Sequence, residues 1–229
     1  MMLIKAPVIA QDTDALKEAW KTVTWDSCPK TYNFHMHTVF SDGQMQPETL
    51  LEQAIAIGLK GLAITDHHSV QGNLVAQAWL DNARREQPDV AWPYLWMGIE
   101  ITTNLDGTDV HTLGYGFDPN HPAIKGYCQG KGPSGVEADA ETVVAAIHAA
   151  GGLVVLAHPF RYRRPPSELV PLAVKIGYDG IEAFYAYGNP KPWRASSERT
   201  EQALEFADMF DLYTTCGTDT HGTSLLRRV

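Results

Sequence analysis

The chain has 229 residues, of which 44% are hydrophobic and 20% charged, a balance typical of a soluble globular protein with one substantial core. Its formal net charge of −9 argues against loose binding to a nucleic-acid backbone, and no apolar run approaches the roughly 18–20 residues that cross a bilayer. The three cysteines lie far apart, so we expect neither a disulfide framework nor a thiolate zinc site. These features favour a single-domain cytoplasmic enzyme with no membrane partner and no stable nucleic-acid complex.

Residues 1–30 form a leader, which we expect to pack on the rest of the domain and to contain a short helix around Asp12–Thr22. Its mildly apolar start lacks a basic segment and a long apolar core, so it is not typical of a signal peptide. After the leader, short apolar runs predict seven strands. They cover Tyr32–His37, Gly61–Thr65, Tyr94–Ile101, Val110–Gly116, Leu153–Ala157, Gly180–Phe184 and Leu212–Gly217.

Segments with helical periodicity alternate with these strands. They cover Pro47–Ile57, Val70–Arg85, Glu137–Ala150, Ser167–Ile176 and Ser197–Phe210. Gly58, Gly151 and Gly177 stand where a glycine commonly ends a helix. The alternation predicts an α/β fold with a mostly parallel sheet, and seven strands suit an incomplete or distorted barrel. Asp118–Gly135, rich in Gly and Pro, is predicted to be a loop.

The first chemically informative motif is His35-Met36-His37. Residues two apart on a strand point to the same face, so both imidazoles can bind one metal ion. Two ordinary polar histidines at a strand end are the alternative.

A second motif, Asp66-His67-His68, follows the apolar run Gly61–Ile64. The carboxyl ends of strands are where barrels and open α/β sheets place their active sites. Asp66 or Ser69 could instead cap the following helix, and the two interpretations are compatible.

Other polar residues also stand at the ends of predicted strands, and most of the nine histidines do so. They are Glu100, His111, His158, Asp219 and His221. Their recurrence at strand ends indicates a shared site.

This ordered set resembles the PHP (polymerase and histidinol phosphatase) family, from about Tyr32 to Thr223. The resemblance is carried by seven motifs: His35–Thr38 with Ser41–Gly43, Ile64–His67, Gly98–Glu100, His111–Tyr115, Leu156–Pro159, Asp179–Glu182 and Gly217–Gly222. It implies a distorted (β/α)7 barrel over residues 31–229, with a metal centre at the carboxyl ends of the strands.

The resemblance also implies a centre of two or three divalent ions. Three ligand sets follow: His35, His37, Glu100 and Asp219 for one ion, Glu100 as a bridge with His111 and His158 for a second, and Asp42, His67 and His221 for a third. Such ligands suit Mn²⁺, Zn²⁺ or Fe²⁺. A carboxylate bridge can hold two dications about 3.5–4 Å apart with a hydroxide between them as nucleophile. We therefore expect metal-dependent hydrolysis of a phosphoester by a metal-bridged hydroxide.

Two residues are candidates for acid or base catalysis. Asp66 could accept a proton from the attacking water, although a hydrogen bond to a ligand imidazole is the favoured role. His68 could donate a proton to the leaving oxygen or line the rim of the site.

Arginines after His158 are candidates for substrate binding, because the guanidinium group matches phosphate oxygens. Arg161 is the first choice, and Arg163 and Arg194 are further candidates, with Arg163 alternatively in a solvated loop. Glu182 could be a ligand or could hydrogen-bond other groups of the site.

The favoured substrate is a phosphomonoester of a nucleotide or a small metabolite. PHP phosphoesterases of small nucleotides usually carry a long helical insertion after the Leu-Gly-Tyr strand, where this chain has only Asp118–Gly135. The shorter cap predicts a more open site, which leaves exonuclease-type cleavage at an oligonucleotide end as an alternative. A non-catalytic metal-binding regulatory module is the third possibility, and the sequence does not predict the oligomeric state.

Overall fold

The protein is described by a computed structural model that covers residues 9–229, so the first eight residues of the leader lie outside the described residues. The strands are β1 Tyr32–Asn33, β2 Gly61–Ala63, β3 Tyr94–Trp96, β4 Gly98–Leu105, β5 Thr108–Tyr115, β6 Leu153–Leu156, β7 Gly180–Phe184 and β8 Tyr213–Cys216. The helices are α1 Thr13–Lys21, α2 Pro47–Ile57, α3 Gln71–Glu86, α4 Pro122–Lys125, α5 Ala140–Ala149, α6 Pro166–Lys175 and α7 Ser197–Phe210. The predicted mixed α/β class is confirmed.

The strands form two sheets, β1-β2-β3 and β4-β5-β6-β7-β8. Strand pairing does not close either sheet into a barrel. The predicted strand Tyr94–Ile101 is split in two, because the Met97 N–H donates to the Ala10 carbonyl of the leader instead of to a neighbouring strand. Hydrogen bonds nevertheless join the sheets on both sides. Phe34 N–H donates to Cys216 O at 2.9 Å, and His68 N–H donates to Glu100 O at 2.9 Å.

The strand pairing is mostly parallel, as predicted, with one exception. β5 pairs antiparallel with both β4 and β6, whereas the other pairs are parallel. The cause is a tight hairpin at Asp106-Gly107, where both residues have positive φ, a conformation that an Asp-Gly pair adopts readily. The reversal matters for the site. It brings His111, near the start of β5, to the edge where the parallel strands end.

The described part of the leader, residues 9–30, packs on the apolar side of these strands. Leu16 and Trp20 of α1 are buried, and the Trp20 ring meets Tyr115 edge-on at 5.5 Å between centroids. Tyr115 in turn donates its hydroxyl hydrogen to the Phe34 carbonyl at 2.8 Å.

Gly58 ends helix α2 as the sequence predicts, in the left-handed conformation with φ of 87°.

The segment Asp118–Gly135 is more ordered than the predicted loop. It contains α4 and a 3-10 turn at Gly126–Cys128, because Pro122 begins the helix and the buried side chains of Ile124 and Tyr127 anchor it. Helix α5 begins at Ala140 rather than Glu137, since Asp139 is extended.

Among residues 9–229, no helix combines the length and apolar character that a membrane span requires.

Candidate metal centre

The centre is built around Glu100, a buried residue of β4. One of its carboxylate oxygens, Oε2, lies 3.1 Å from His35 Nε2 and 3.2 Å from His37 Nε2. The other, Oε1, lies 2.7 Å from His111 Nδ1 and 3.5 Å from His158 Nε2. A single carboxylate therefore joins imidazoles that come from segments far apart in the sequence.

Three groups of nitrogen and oxygen donors lie close enough to bind metal ions, with the donor atoms of each group within 4.8 Å of one another. The groups are His35, His37, Glu100 and Asp219; His67, Glu100 and His111; and His37, Asp42, His67 and His221. The first has the same members as the first predicted ligand set. The third group contains the whole of the third predicted set, with His37 in addition. The second group has His67 where the predicted set has His158, whose Nε2 lies 3.5 Å from Glu100 Oε1.

Several buried nitrogen and oxygen atoms of this cluster lack a hydrogen-bond partner, which bears on whether the cluster can bind metal ions. His111 Nδ1 and Glu100 Oε1 are 2.7 Å apart, yet they do not have hydrogen-bond geometry, and neither atom has another partner in residues 9–229. Both ring nitrogens of His158 and Nδ1 of His37 are likewise buried without a partner there. Buried polar atoms are normally hydrogen-bonded, so their convergence on one space fits a cluster of divalent cations.

Electrostatics explains why the cluster needs positive charge. Burial lowers the pKa of His35, but the carboxylates of Glu182, Glu100 and Asp219 outweigh it and hold the pKa well above its usual range. Burial raises the pKa of Glu100, yet the charges of His35 and His111 keep it well below the usual value. Without metal ions, protons on imidazoles therefore balance the buried carboxylates.

His67, His158 and His221 differ from His35, because the pKa of each of these imidazoles is lowered. Burial lowers the pKa of His67 to about 4, against the attraction of Glu100. Burial also lowers the pKa of His158 and of His221. Neutral imidazoles are the form that binds metal ions, so these side chains are prepared for coordination.

Glu182 orients two members of the centre. Its Oε1 lies 2.9 Å from His35 Nδ1, and its Oε2 accepts the His158 backbone N–H at 2.9 Å. This leaves His35 Nε2 directed at Glu100 and Asp219. Gly217 makes the approach possible, because a Cβ there would collide with His35 and lie 2.7 Å from Glu182 Oε1. Of the two roles considered for Glu182, the structure shows hydrogen bonding.

Three of the six non-glycine residues with positive φ among residues 9–229 lie at the same place. His158, Asp219 and His68 have positive φ values of 27°, 52° and 53°. Non-glycine residues pay about 1–3 kcal/mol for such conformations, which persist where the surrounding structure holds them. Two of these three residues belong to the predicted ligand sets, so the strain lies in the centre itself.

The hydrogen bonds of Asp66 lie within the turn that follows β1. Its Oδ1 accepts the Thr38 N–H at 2.6 Å and the Ser41 hydroxyl at 2.8 Å, and its Oδ2 accepts the Thr38 hydroxyl at 2.7 Å. Burial raises its pKa against these hydrogen bonds. No hydrogen bond joins Asp66 to an imidazole among the described residues. It holds the turn that carries Asp42.

His68 lies at the edge of the centre, with its ring under the segment 129–132. Its N–H donates to Glu100 O, and its carbonyl accepts from Gly130 N–H at 2.7 Å. Burial lowers the pKa of its imidazole. This position is compatible with both the rim and the proton-donor interpretations.

The predicted substrate-binding arginines are not all at the centre. Arg161 Nη1 lies 3.0 Å from Asp219 Oδ2 and 3.2 Å from the Tyr185 hydroxyl. Arg194 lines a neighbouring cavity. The structure does not bring Arg163 to the centre: its side chain is exposed and makes no hydrogen bond or ion pair with residues 9–229. Proline residues that follow it turn the chain away into α6.

Sequence reasoning missed Arg228 and Tyr185. Arg228 Nε donates to Asp219 Oδ2 at 2.7 Å, and the Tyr185 hydroxyl donates to the same oxygen at 2.7 Å. The backbone fixes Arg228, since the His221 N–H donates to its carbonyl at 2.7 Å. The basic pair Arg227-Arg228 soon after His221 was the available signal in the sequence.

Comparisons with known proteins agree with this centre. Residues 33–179, well over half of the chain, match the PHP domain family. The chain is 26% identical to a 5'-3' exoribonuclease of Haemophilus influenzae over 84% of its length and 90% of that protein. It is 33% identical to a 3',5'-nucleoside bisphosphate phosphatase of Chromobacterium violaceum, over 40% of the chain and 30% of that protein.

A solved structure from Bifidobacterium adolescentis, assigned as a metal-dependent phosphoesterase, is also similar. The TM-score is 0.67 at 25% identity, over 85% of this chain and 89% of the other. The structural similarity therefore extends over most of both chains.

Proposed function

Because the chain belongs to the PHP domain family, we propose that it is a metal-dependent phosphoesterase that hydrolyses a phosphoester of a nucleotide. The single observation that carries the proposal is the position of Glu100, whose two oxygens face imidazoles on both sides. A carboxylate in this position can bridge two cations.

We also propose that residues 31–229 form a distorted barrel with the leader 1–30 packed against it. Hydrogen bonds between β1 and the end of β8, and between the end of β2 and β4, support this arrangement. The seven strands would then be β1, β2, β3 with β4 as one interrupted strand, and β5 to β8.

The ion content is proposed to be two or three divalent ions, Mn²⁺, Zn²⁺ or Fe²⁺, with the nine predicted ligands as donors. Histidine and carboxylate donors without thiolates support this choice. When bound, such ions neutralise charge on the phosphoryl oxygens and lower the pKa of water toward neutrality.

The side chains around the centre would perform the remaining tasks. Glu182 fixes the His35 ring, so its donor atom points into the centre. Arg161 and Arg228 both contact Asp219 Oδ2 and have further N–H groups for phosphate oxygens. His68 is the remaining candidate for proton donation to the leaving oxygen.

Stepwise cleavage at the 5' end of RNA is the second candidate. The favouring observation is the similarity to the Haemophilus influenzae exoribonuclease, which spans most of both chains. A non-catalytic metal-binding module is less favoured, because the arginines at Asp219 would have no role in it.

The test measures phosphate release from a nucleoside 3',5'-bisphosphate and nucleotide release from short 5'-phosphorylated RNA, with Mn²⁺ supplied. Asp219→Ala and His35→Ala should abolish both activities and reduce the bound metal, while circular dichroism stays unchanged. Wild-type turnover in either variant would refute its assignment as a ligand. A folded, metal-loaded wild type that is inactive on both substrates would refute the function.

A further inference from the structure

A groove beside the centre is lined by arginines, two of which, Arg161 and Arg228, also contact Asp219 of the centre. Its inner part has a cavity volume of about 230 Å³ and includes Arg161, Arg199 and Arg228. Its outer part, of about 720 Å³, includes Trp25 and Arg194. Tyr187, Gly188 and Arg199 line both parts, so the two parts adjoin.

The inner end of the groove begins at the metal centre. Arg161, Arg228 and Tyr185 line it, and all three also contact Asp219 Oδ2. A phosphoryl group at the centre would therefore have the rest of its molecule directed along this groove.

The middle of the groove combines a positive charge with an aromatic ring. The Arg199 guanidinium lies over the Tyr187 ring, 4.6 Å from its centroid, and this stacking limits the freedom of both side chains. The lining carries three arginines near the centre and Arg194 further out, against one acidic residue, Glu198. The groove is thus basic on a chain whose formal net charge is −9.

The outer end presents Trp25, which belongs to the leader. Its side chain is 42% exposed, although tryptophan is usually well buried. The ring packs edge-on against Phe184, at 5.6 Å between centroids, so it is held in place beside the groove. A fixed, exposed indole beside arginines is the combination that stacks on a base while the arginines bind the backbone.

We infer that this groove, from Arg161 to Trp25, binds the second and later nucleotides of a single-stranded oligonucleotide whose 5' end lies at the metal centre. The inference rests on the proposed phosphoesterase function and specifies its substrate class. In this arrangement Arg199 and Arg194 contact phosphates, and Trp25 stacks on a base. A mononucleotide would fill only the inner part.

The first test compares kcat/KM for a 5'-phosphorylated trinucleotide with kcat/KM for a nucleoside bisphosphate. Trp25→Ala should lower the ratio of the two by about tenfold, because base–aromatic stacking has effects of this size. Trp25→Phe should restore most of the ratio. Arg85→Ala, an exposed arginine of α3 outside the groove, serves as the control with an unchanged ratio.

A binding measurement avoids dependence on turnover. With Glu100→Gln as the inactive background, Arg199→Ala should weaken binding of a fluorescent hexanucleotide. The slope of log K against log salt concentration should also become less steep by about 0.7 for each lost phosphate contact.

The outcomes separate this inference from the proposed function. Hydrolysis of the bisphosphate but not of the trinucleotide, or an unchanged ratio in Trp25→Ala, would overturn the groove assignment while the phosphoesterase function stands. If the wild-type protein hydrolyses neither the bisphosphate nor the trinucleotide, both the groove assignment and the phosphoesterase function are overturned.

Discussion

Two neighbouring regions lie along the same strands, and they are chemically opposite. Around Trp20, Phe34 and Tyr115, aromatic rings pack edge-on with centroids 5.5–6.5 Å apart. One residue after Phe34, His35 begins a region of imidazoles and carboxylates in which Glu100 is buried, whereas Asp42 and His111 are partly open to solvent. In the apolar region Trp20 Nε1 is without a hydrogen-bond partner among residues 9–229, whereas the polar region leaves several nitrogen and oxygen atoms of His37, Glu100, His111 and His158 without one.

The apolar region stabilises the fold, whereas the polar region consists of groups that the fold holds in position. Burial of apolar surface contributes about 25 cal/mol per Å² to stability, and the aromatic region needs nothing else. Burial of carboxylates and imidazoles is unfavourable unless opposite charge compensates it. We therefore expect changes in the first region to affect stability and changes in the second to affect metal binding and activity.

The largest effect should come from Glu100→Gln, which keeps the shape of the side chain and removes its charge. Because both oxygens face imidazoles, the amide cannot bridge cations, and we expect kcat to fall by at least about 10²–10³-fold. Steady-state kinetics with saturating Mn²⁺ measures the loss. Glu52→Gln on the exposed face of α2 is the matched control. Full activity in Glu100→Gln would break the division between the two regions.

Trp20→Ala should have the converse effect. Removal of this buried ring should lower the free energy of unfolding by about 3–5 kcal/mol, because it leaves a cavity between the leader and the strands. Denaturant unfolding measures the change, and Leu74→Ala, at a residue that is 43% exposed, is the control. Metal content per folded chain should stay the same. A loss of metal in Trp20→Ala would show that the two regions are coupled.

Asp66 lies between the apolar and the polar region, and Asp66→Ala tests its role there. Three donors would lose their acceptor, so stability should fall by about 1–3 kcal/mol. The turn that carries Asp42 would loosen, and metal affinity at the group of Asp42, His67 and His221 should weaken before the others. Isothermal titration with Mn²⁺ resolves this order. Unchanged stability together with abolished turnover would instead support Asp66 as an acid or base.

The smallest effect concerns the ion pair of His148 with Asp179, far from the centre. The hydrogen bond with Asp179 raises the pKa of His148 above its usual value, so the pair stabilises the protein at low pH. This stability is present below about pH 6.5 and is lost as the pH rises through the folded-state pKa. Both side chains are partly exposed, so His148→Ala should lower stability by less than about 1 kcal/mol at pH 5.5. Unfolding at pH 5.5 and pH 8.5 checks the sign, and a larger loss at pH 8.5 would contradict it.

The sequence predicted the parts of this molecule that depend on local patterns. Helices α2 and α7 have the predicted bounds, and Gly58 ends its helix as expected. The antiparallel β5 was not predicted, although Asp106-Gly107 is a hairpin signal, because strand–helix alternation suggested parallel pairing.

The site was predictable to a similar degree. Polar residues at strand ends converge because the strands end at one edge, and this much follows from the pattern. Arg228, Tyr185 and Trp25 depend on how distant segments pack, which periodicity does not reveal. The hydrogen bonds that hold Asp66 in its turn were equally hidden in the sequence.

We propose that the polar region around Glu100 binds several divalent ions and that hydrolysis requires them. A titration of Mn²⁺ into chelator-treated protein, with bound ions per chain and phosphoester hydrolysis recorded together, tests this proposal. We expect at least two ions per chain in the wild type, hydrolysis that appears as they bind, and fewer ions in Glu100→Gln. Hydrolysis by metal-free protein, or a folded wild type that binds no ion, would contradict it.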